Sequence, residues 1–315
     1  METRAPSPPH LAADAPIGLF DSGYGGLTVL REVAALLPEE SLTFVGDSAR
    51  CPYGPKPQAD VDRYVQQICR HLVEAGCKLV VIACNTATAA GLAHAQQAFS
   101  VPIVGVVAPG ARAAAHTTRS RRVGVIATEG TVASGVYTEA IHHMDAGIEV
   151  FPVATPRFVE MVEQGLSLGA GDGEGEDGAS GGPALARLMM QPAFEAAARE
   201  CLAPLEGCAI DTLVLGCTHF PLLQPLIAKV MGPGVTLVSS AEETALDVRE
   251  ILGRRRALAP AGRQPVRAFY TTGDDVGSFA RFGSRVLDTP MDRVGHLTLP
   301  PLPPTGAARD ERRAR

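Results

Sequence analysis

Short apolar runs alternate with longer amphipathic stretches along most of this chain. The runs contain few polar residues, which is typical of parallel strands buried on both faces. Between them, apolar residues recur with helical spacing, as in Leu27–Leu37, Val61–Ala75 and Phe194–Leu202. This alternation predicts an α/β fold with mainly parallel sheets flanked by helices. The predicted strands are Ile17–Phe20, Leu42–Val45, Leu79–Ala83, Ile103–Val106, Arg122–Ile126, Glu149–Val153, Thr212–Leu215, Thr236–Val238 and Ala268–Tyr270.

Two parts of the chain follow a similar plan. Residues 18–28 and 124–131 each contain the end of an apolar run, a polar turn and the start of a helical stretch. Residues 79–86 (LVVIACNT) and 213–219 (LVLGCTH) align when their cysteines are matched. The repeat predicts two similar α/β halves, each presenting one cysteine, with an active site in the cleft between them.

Three segments lack this pattern. Residues 1–15 are rich in proline and alanine without an apolar core, which predicts a disordered arm rather than a signal peptide. Residues 169–182 are glycine-rich and acidic, and we expect a flexible insertion there. The end of the chain, 300–315, is proline-rich and then charged, and we expect a disordered tail.

Composition narrows the classes of partner and compartment. The net charge of −6 argues against a nucleic-acid partner, and no apolar run is long enough to cross a membrane. The seven cysteines come without a signal peptide, which favours the cytoplasm over a disulfide framework. Their spacing does not match a metal site, so no metal is expected.

Two cysteines stand where chemistry is expected in an α/β protein. Cys84 follows a predicted strand and opens a helical stretch. The carboxyl ends of parallel strands are where α/β proteins bind ligands. The N-terminus of a helix also favours the thiolate form of a cysteine. Cys217 occurs in the same context, and His219 follows closely enough to act as its proton partner or to be an ordinary structural histidine. The other cysteines are interpreted as structural or incidental: Cys51, Cys69, Cys77, Cys201 and Cys208.

A glycine-rich turn follows the first predicted strand. Asp21 ends that strand, and the turn leads into a helix, where free backbone N–H groups can bind an anion. Thr28 stands where a dinucleotide fingerprint needs its third glycine, which favours a compact carboxylate ligand over a nucleotide. The alternative is a plain structural turn that caps the next helix.

Six motifs occur in an order that resembles the glutamate racemase family, within the aspartate/glutamate racemase superfamily. The resemblance runs from about Ile17 to Gly273 and rests on IGLFDSGYGGLTVLRE (17–32), FVGDSARCPYG (44–54), VIACNTATA (81–89), GVIATEGTVASGVY (124–137), LGCTHFPLL (215–223) and SSAEETA (239–245). It implies two similar α/β domains related by a pseudo-twofold axis. The first would comprise 16–108 plus 239–290, and the second 109–238.

The resemblance also implies a reaction and its catalytic residues. Cys84 would deprotonate D-glutamate and Cys217 would deprotonate L-glutamate, each thiol returning a proton to the opposite face. Asp21 would assist Cys84, and His219 would assist Cys217. Glu163 matches a further acidic residue near the second thiol.

Substrate binding and biological role follow from the same resemblance. The only expected ligand is glutamate, its D-enantiomer would supply peptidoglycan in a bacterial cytoplasm, and a homodimer is possible. In one departure, Glu160 stands where the family usually has proline. The residues implied to hold the substrate are Asp21, Ser22, Pro52, Tyr53, Gly54, Asn85, Thr86, Thr128, Thr131, Thr218 and His219.

A pair of thiols suits racemisation without a cofactor. Removing an α-proton from one face and returning one to the other requires a base and an acid on opposite sides of the substrate. A pyridoxal route would need a Schiff-base lysine, and none of Lys56, Lys78 and Lys229 has a suggestive setting. Two alternatives stay open: a sister enzyme acting on aspartate or another small acid, and a catalytically silent binding module.

Overall fold

The computed structural model describes residues 11–168 and 191–302 of this chain, and within them ten strands form two sheets. The strands are β1 (Ile17–Asp21), β2 (Leu42–Gly46), β3 (Leu79–Ile82), β4 (Ile103–Gly105), β5 (Arg122–Ala127), β6 (Glu149–Ala154), β7 (Thr212–Gly216), β8 (Thr236–Ser239), β9 (Arg267–Thr271) and β10 (Val294–His296). The helices are α1 (Leu27–Leu36), α2 (Gln58–Glu74), α3 (Asn85–Ala98), α4 (Val107–Thr117), α5 (Glu129–Ala133), α6 (Val136–Met144), α7 (Pro156–Leu168), α8 (Pro192–Leu202), α9 (Gln224–Met231), α10 (Ser240–Arg254) and α11 (Val276–Leu287). Short 3₁₀ helices cover Ser48–Arg50, Ala203–Leu205 and Phe220–Leu223.

The two sheets share a strand order. One sheet runs β10-β9-β2-β1-β3-β4 and the other runs β6-β5-β7-β8, with every neighbouring pair parallel. The order β2-β1-β3-β4 therefore recurs as β6-β5-β7-β8. The predicted α/β class is confirmed, and the sequence repeat corresponds to equivalent strands. β3 and β7 occupy matching places, and each is followed by one of the two candidate cysteines.

The apolar pattern explains most of these elements. Every residue of β1 and β3 is buried, as expected for strands covered by helices on both faces. The buried stripe of α2 includes Val61, Val65, Ile68 and Leu72, which lie on one helical face. All nine predicted strands are present, with ends that differ by about one residue.

The sequence pattern does not predict the tenth strand, β10. Val294–His296 is short and contains a glycine, so it carries no apolar run that would predict a strand. It is ordered by parallel pairing with β9 at the edge of the larger sheet. Whether such an edge segment forms a strand depends on pairing partners that are distant in sequence, and the local pattern does not reveal these partners.

The end of the predicted disordered arm is packed against the first half. Leu11 is buried in the hydrophobic core beside β1. The carbonyl oxygen of Ala13 accepts a hydrogen bond of 2.7 Å from Nζ of Lys78, which also lies 2.6 Å from a carboxylate oxygen of Glu40. Residues 11–15 therefore depart from the disordered-arm prediction, because the burial of Leu11 and the hydrogen bond from Lys78 to Ala13 hold them against the first half.

The other predicted unstructured segments lie almost wholly outside the described residues. This is true of 1–10, of the insertion at 169–182 and of 303–315. At the start of the predicted tail, the carbonyl oxygen of Pro300 accepts a hydrogen bond from Gln67. In the part of the chain that the structure describes, no helix is both long and apolar enough to span a bilayer.

Candidate active site

A cavity of about 370 Å³ lies between the two halves of the molecule. Its size falls in the range of small-molecule sites, roughly 300–1,000 Å³. The segments that follow β1, β3, β5 and β7 all reach it, so it lies at the carboxyl ends of equivalent strands of both sheets. The residues that line it are Ser22, Cys51, Pro52, Tyr53, Gly54, Pro55, Cys84, Asn85, Thr86, Thr128, Glu129, Pro156, Val159, Glu160, Glu163, Cys217, Thr218 and His219.

Cys84 caps the N-terminus of α3 and faces this cavity. Its sulfur accepts a hydrogen bond of 3.4 Å from the backbone N–H of Ala87 and lies 3.7 Å from the hydroxyl oxygen of Ser22. Burial, followed by the negative charge of Asp21, raises the pKa of the Cys84 thiol to about 12 against the opposite effect of these hydrogen bonds. The neutral thiol is therefore its resting form near neutral pH.

Cys217 reaches the same cavity from a different local structure. It lies in a turn after β7, and its carbonyl oxygen accepts a hydrogen bond of 3.1 Å from the N–H of Phe220. A 3₁₀ helix follows before α9 begins, so Cys217 does not cap an α-helix as Cys84 does. The prediction of matching contexts is wrong in this respect. Instead, Cys217 Sγ lies 3.8 Å from Nδ1 of His219.

His219 connects Cys217 to an acidic residue. Its Nε2 lies 3.6 Å from a carboxylate oxygen of Glu163, within ion-pair distance but too far for a direct hydrogen bond. Burial alone would lower the pKa of His219, but interactions with Cys217, Glu163 and Asp21 outweigh it and raise the pKa to about 10. The imidazole is therefore protonated near neutral pH, and its positive charge lies beside the Cys217 sulfur.

Asp21 is fully buried and lies behind the cavity wall. Its carboxylate accepts hydrogen bonds of 3.0 Å from the N–H of Gly23 and 3.4 Å from the hydroxyl of Thr218. Burial raises the pKa of Asp21, whereas the charge of His219 lowers it. Asp21 thus influences the charge on both Cys84 and His219, although it does not line the cavity.

Three threonine hydroxyls join the two halves beside the cavity. Thr86 lies in the first turn of α3, while Thr128 and Thr131 belong to the turn and helix after β5. Their oxygens lie 2.9 Å apart for Thr86 and Thr128, 3.3 Å for Thr86 and Thr131, and 3.0 Å for Thr128 and Thr131. Thr86 and Thr128 line the cavity, whereas Thr131 supports them from behind.

Tyr53 lines the cavity but turns its hydroxyl away from it. The hydroxyl donates a hydrogen bond to the buried carboxylate of Asp47, which also accepts one of 2.7 Å from Nε of Arg50. The next residue, Gly54, accepts a hydrogen bond of 3.1 Å at its carbonyl oxygen from the N–H of Gly130 in the other half. The loop therefore offers backbone groups to a ligand, and the Tyr53 hydroxyl is already engaged.

Sequence reasoning missed one wall of the cavity. Pro156, Val159 and Glu160 on α7 line it together with Glu163. Val159 and Glu160 lie four and three residues before Glu163, so helical periodicity around that glutamate could have identified them. Cys51, interpreted as structural or incidental, also lines the cavity. Cys69 and Cys77 lie in the hydrophobic core, in agreement with their interpretation.

The structure brings the predicted site residues together. All line the cavity except Asp21 and Thr131, and each of those two contacts a residue that does. Groups separated by more than 130 positions in sequence, such as Cys84 and Cys217, thus share one small volume.

Comparison with known proteins gives a consistent assignment. Residues 25–247 match the Asp/Glu/Hydantoin racemase family. A glutamate racemase from Corynebacterium diphtheriae is 46% identical over 89% of this chain and 97% of its own length. Among solved structures, a glutamate racemase isoform from Bacillus anthracis is 39% identical with a TM-score of 0.80, covering 91% of this chain and 98% of its own. A glutamate racemase from Francisella tularensis, solved in complex with D-glutamate, has a TM-score of 0.78 and 29% identity at the same coverage.

The family match covers both thiols and His219, and the relatives extend over nearly the whole fold. The chain belongs to the Asp/Glu/Hydantoin racemase family.

Proposed function

We propose that this protein interconverts L-glutamate and D-glutamate through two thiols on opposite faces of the substrate. The observation that carries the proposal is the placement of Cys84 and Cys217 after equivalent strands of two halves, both facing one cavity. The similarity to glutamate racemases over most of the chain supports glutamate as the substrate.

In the direction from L- to D-glutamate, the Cys217 thiolate takes the α-proton. The Cys84 thiol then gives its own proton to the opposite face of the carbanion. Each turnover exchanges the protonation states of the two sulfurs, so the reverse direction begins with a Cys84 thiolate and a Cys217 thiol. No other group has to accept electrons, and the reaction as written needs no cofactor.

The neighbours of each sulfur supply different help. His219 carries a positive charge beside Cys217 that favours negative charge on this sulfur, and Glu163 at 3.6 Å holds the imidazole from its other side. The Asp21 charge opposes a thiolate at Cys84. The substrate ammonium would bring a positive charge that offsets Asp21 and allows Cys84 to act as a base.

Substrate binding would use the polar groups around the cavity. The hydroxyls of Ser22, Thr86, Thr128 and Thr218 and the amide of Asn85 are suited to carboxylates and ammonium. The loop at Pro52, Tyr53 and Gly54 would contribute backbone groups. None of the lysines lines the cavity in the described part of the chain, and Lys78 is held in a buried ion pair with Glu40.

The biological setting is part of the proposal. D-glutamate made by this family supplies peptidoglycan. A cytoplasmic location is supported by the seven cysteines, all of which are free thiols. Assembly as a homodimer stays a prediction that analytical ultracentrifugation can test.

Exchange of solvent deuterium tests the function directly. Purified protein, without added pyridoxal phosphate or metal, is incubated in D₂O with glutamate or with aspartate, and incorporation at the α-position is measured. We expect rapid incorporation into both enantiomers of glutamate and little into aspartate. Faster exchange of aspartate would show that the substrate is wrong, and no exchange of either acid would favour a silent binding module.

A further inference from the structure

Two of the sequence motifs contain a residue that the proposed chemistry does not use. Tyr137 is the last residue of GVIATEGTVASGVY, and Ser240 lies in SSAEETA. Both are buried, with 3% of Tyr137 and 5% of Ser240 exposed. Both side chains also adjoin Gly110. If Gly110 carried a Cβ, that atom would lie 3.0 Å from Ser240 Cβ and 3.5 Å from the Tyr137 hydroxyl oxygen, so the two side chains are neighbours.

Tyr137 lies between the two segments that carry the thiols. Its hydroxyl donates a hydrogen bond of 2.7 Å to Oδ1 of Asn85, the residue after Cys84. Its ring packs on Gly216, the residue before Cys217, where an added Cβ would lie 3.0 Å from the ring. One side chain of the second half therefore contacts the immediate neighbours of both sulfurs.

The Asn85 amide is only half satisfied by the protein. Oδ1 is held by Tyr137, whereas Nδ2 is buried and has no hydrogen-bond partner among the described groups. Asn85 lines the cavity, and its side chain can present either oxygen or nitrogen depending on which end a neighbour holds. A hydroxyl that donates to Oδ1 leaves the two N–H donors of Nδ2 for a ligand.

The hydroxyl of Tyr137 stays a donor under working conditions. Burial raises the pKa of Tyr137 well above its ordinary value, although a hydrogen bond with Ser240 acts in the opposite direction. The phenol therefore keeps its proton, and Ser240 interacts with the same hydroxyl. A buried donor left without its acceptor costs free energy, so the pair is held in one orientation.

We infer that Tyr137 is a positioning residue that orients the Asn85 amide so that Nδ2 donates to a substrate carboxylate. The inference rests on the proposed function, since it takes a dicarboxylic amino acid as the ligand. It gives the tyrosine of the GVIATEGTVASGVY motif a role in substrate affinity that acts only through Asn85.

A double-mutant cycle separates this role from simple packing. The variants are Tyr137→Phe, Asn85→Ala and the double variant, with Tyr270→Phe on β9, away from the cavity, as the matched control. We expect Asn85→Ala to raise KM about 10- to 100-fold and Tyr137→Phe about 10-fold, with kcat changed much less. Adding Tyr137→Phe to Asn85→Ala should change KM less than about twofold, because the amide it orients is gone.

Two outcomes would overturn the inference. One is a KM for Tyr137→Phe equal to that of wild type, and the other is effects on KM that multiply in the double variant. Racemisation by the wild-type protein, measured in the same assay, distinguishes failure of the positioning role from failure of the proposed function. An inactive wild type would refute the function, whereas an active wild type with multiplying effects would refute only the positioning role.

A second measurement applies even if Tyr137→Phe does not fold. In a crystal structure of the wild-type protein with D-glutamate, we expect a carboxylate oxygen about 2.9 Å from Asn85 Nδ2. The Tyr137 hydroxyl should remain on Oδ1. A complex in which no carboxylate contacts Nδ2, or in which the amide has left Tyr137, would contradict the inference.

Discussion

The two thiol sites occupy equivalent places in the fold but have different chemical surroundings. Cys84 follows β3, caps α3 and has the Ala87 amide and the Ser22 hydroxyl as its nearest polar neighbours. Cys217 follows β7, lies in a turn and has His219 as its polar neighbour. The matching strand order places both sulfurs at the cavity, and the turn after each strand decides which proton partner it receives.

This difference places opposite charges beside the two sulfurs. Burial and Asp21 keep Cys84 as a neutral thiol, since they raise its pKa to about 12. A protonated His219, with a pKa raised to about 10 by Cys217, Glu163 and Asp21 against the effect of burial, suits a negatively charged sulfur at Cys217. In the proposed mechanism, the charge of His219 therefore assists removal of the α-proton of L-glutamate by Cys217, whereas Cys84 acts beside the charge of Asp21.

Removing either sulfur should have the largest effect. Cys84→Ser and Cys217→Ser each replace a thiol with a much weaker acid, and we expect kcat/KM to fall at least about 10²- to 10⁴-fold in both directions. Racemisation followed by circular dichroism measures this, with Cys201→Ser as the control outside the cavity. Near-normal activity in either active-site variant would refute the two-thiol mechanism.

Removing His219 should affect the Cys217 side selectively. We expect His219→Asn to lower kcat/KM about 10²-fold. The fall must be equal for both enantiomers, because they have the same free energy. The asymmetry should appear with α-deuterated substrates: the isotope effect rises for L-glutamate, whose deuterium Cys217 removes, and falls for D-glutamate. Isotope effects that change equally would show that His219 does not act on one sulfur alone.

Removing the Asp21 charge should change the reactivity of Cys84. Asp21→Asn takes away a negative charge that raises the pKa of Cys84, so the thiolate should form at lower pH. We expect alkylation of Cys84 by iodoacetamide at pH 8 to become about tenfold faster, since each pKa unit changes the thiolate fraction tenfold. Peptide mass spectrometry can follow Cys84 separately from Cys51. An unchanged or slower rate would contradict the proposed influence of Asp21.

The smallest expected effect is on the pH dependence of stability. The pKa of His219 is raised in the folded state from 6.5 to about 10, so its protonation stabilises the fold. This contribution is complete below pH 6.5 and is lost as the pH rises to about 10. The difference in urea midpoint between wild type and His219→Asn should therefore narrow over that range. His143→Asn, at an exposed position, is the control, and a difference independent of pH would refute this coupling.

Much of the fold could be predicted because its strands are locally encoded. Apolar runs such as Leu79–Ile82 are buried on both faces, so their composition alone distinguishes them from turns. The edge strand β10 could not be found in this way, since it depends on pairing with β9. The packed residue Leu11 was also missed, because a single apolar residue in a proline-rich stretch carries no periodicity.

The candidate site was predicted residue by residue from motifs, but its working arrangement was not. The sequence places Tyr137 and Asn85 52 positions apart, and nothing local shows that they share a hydrogen bond. Cys51 and the α7 residues Pro156, Val159 and Glu160 were likewise assigned to the cavity only by the structure.

By itself, the sequence determined the α/β class, nine of the ten described strands and the family, and it named the two candidate thiols, because these depend on local composition and short motifs. Only the tertiary structure decided that Cys217 lies in a turn beside His219 instead of at the start of an α-helix, and that Asp21 lies near both sites. The physical reason is that proton affinities depend on burial and on charges a few ångströms away. Those neighbours come from distant parts of the chain, and folding alone brings them together.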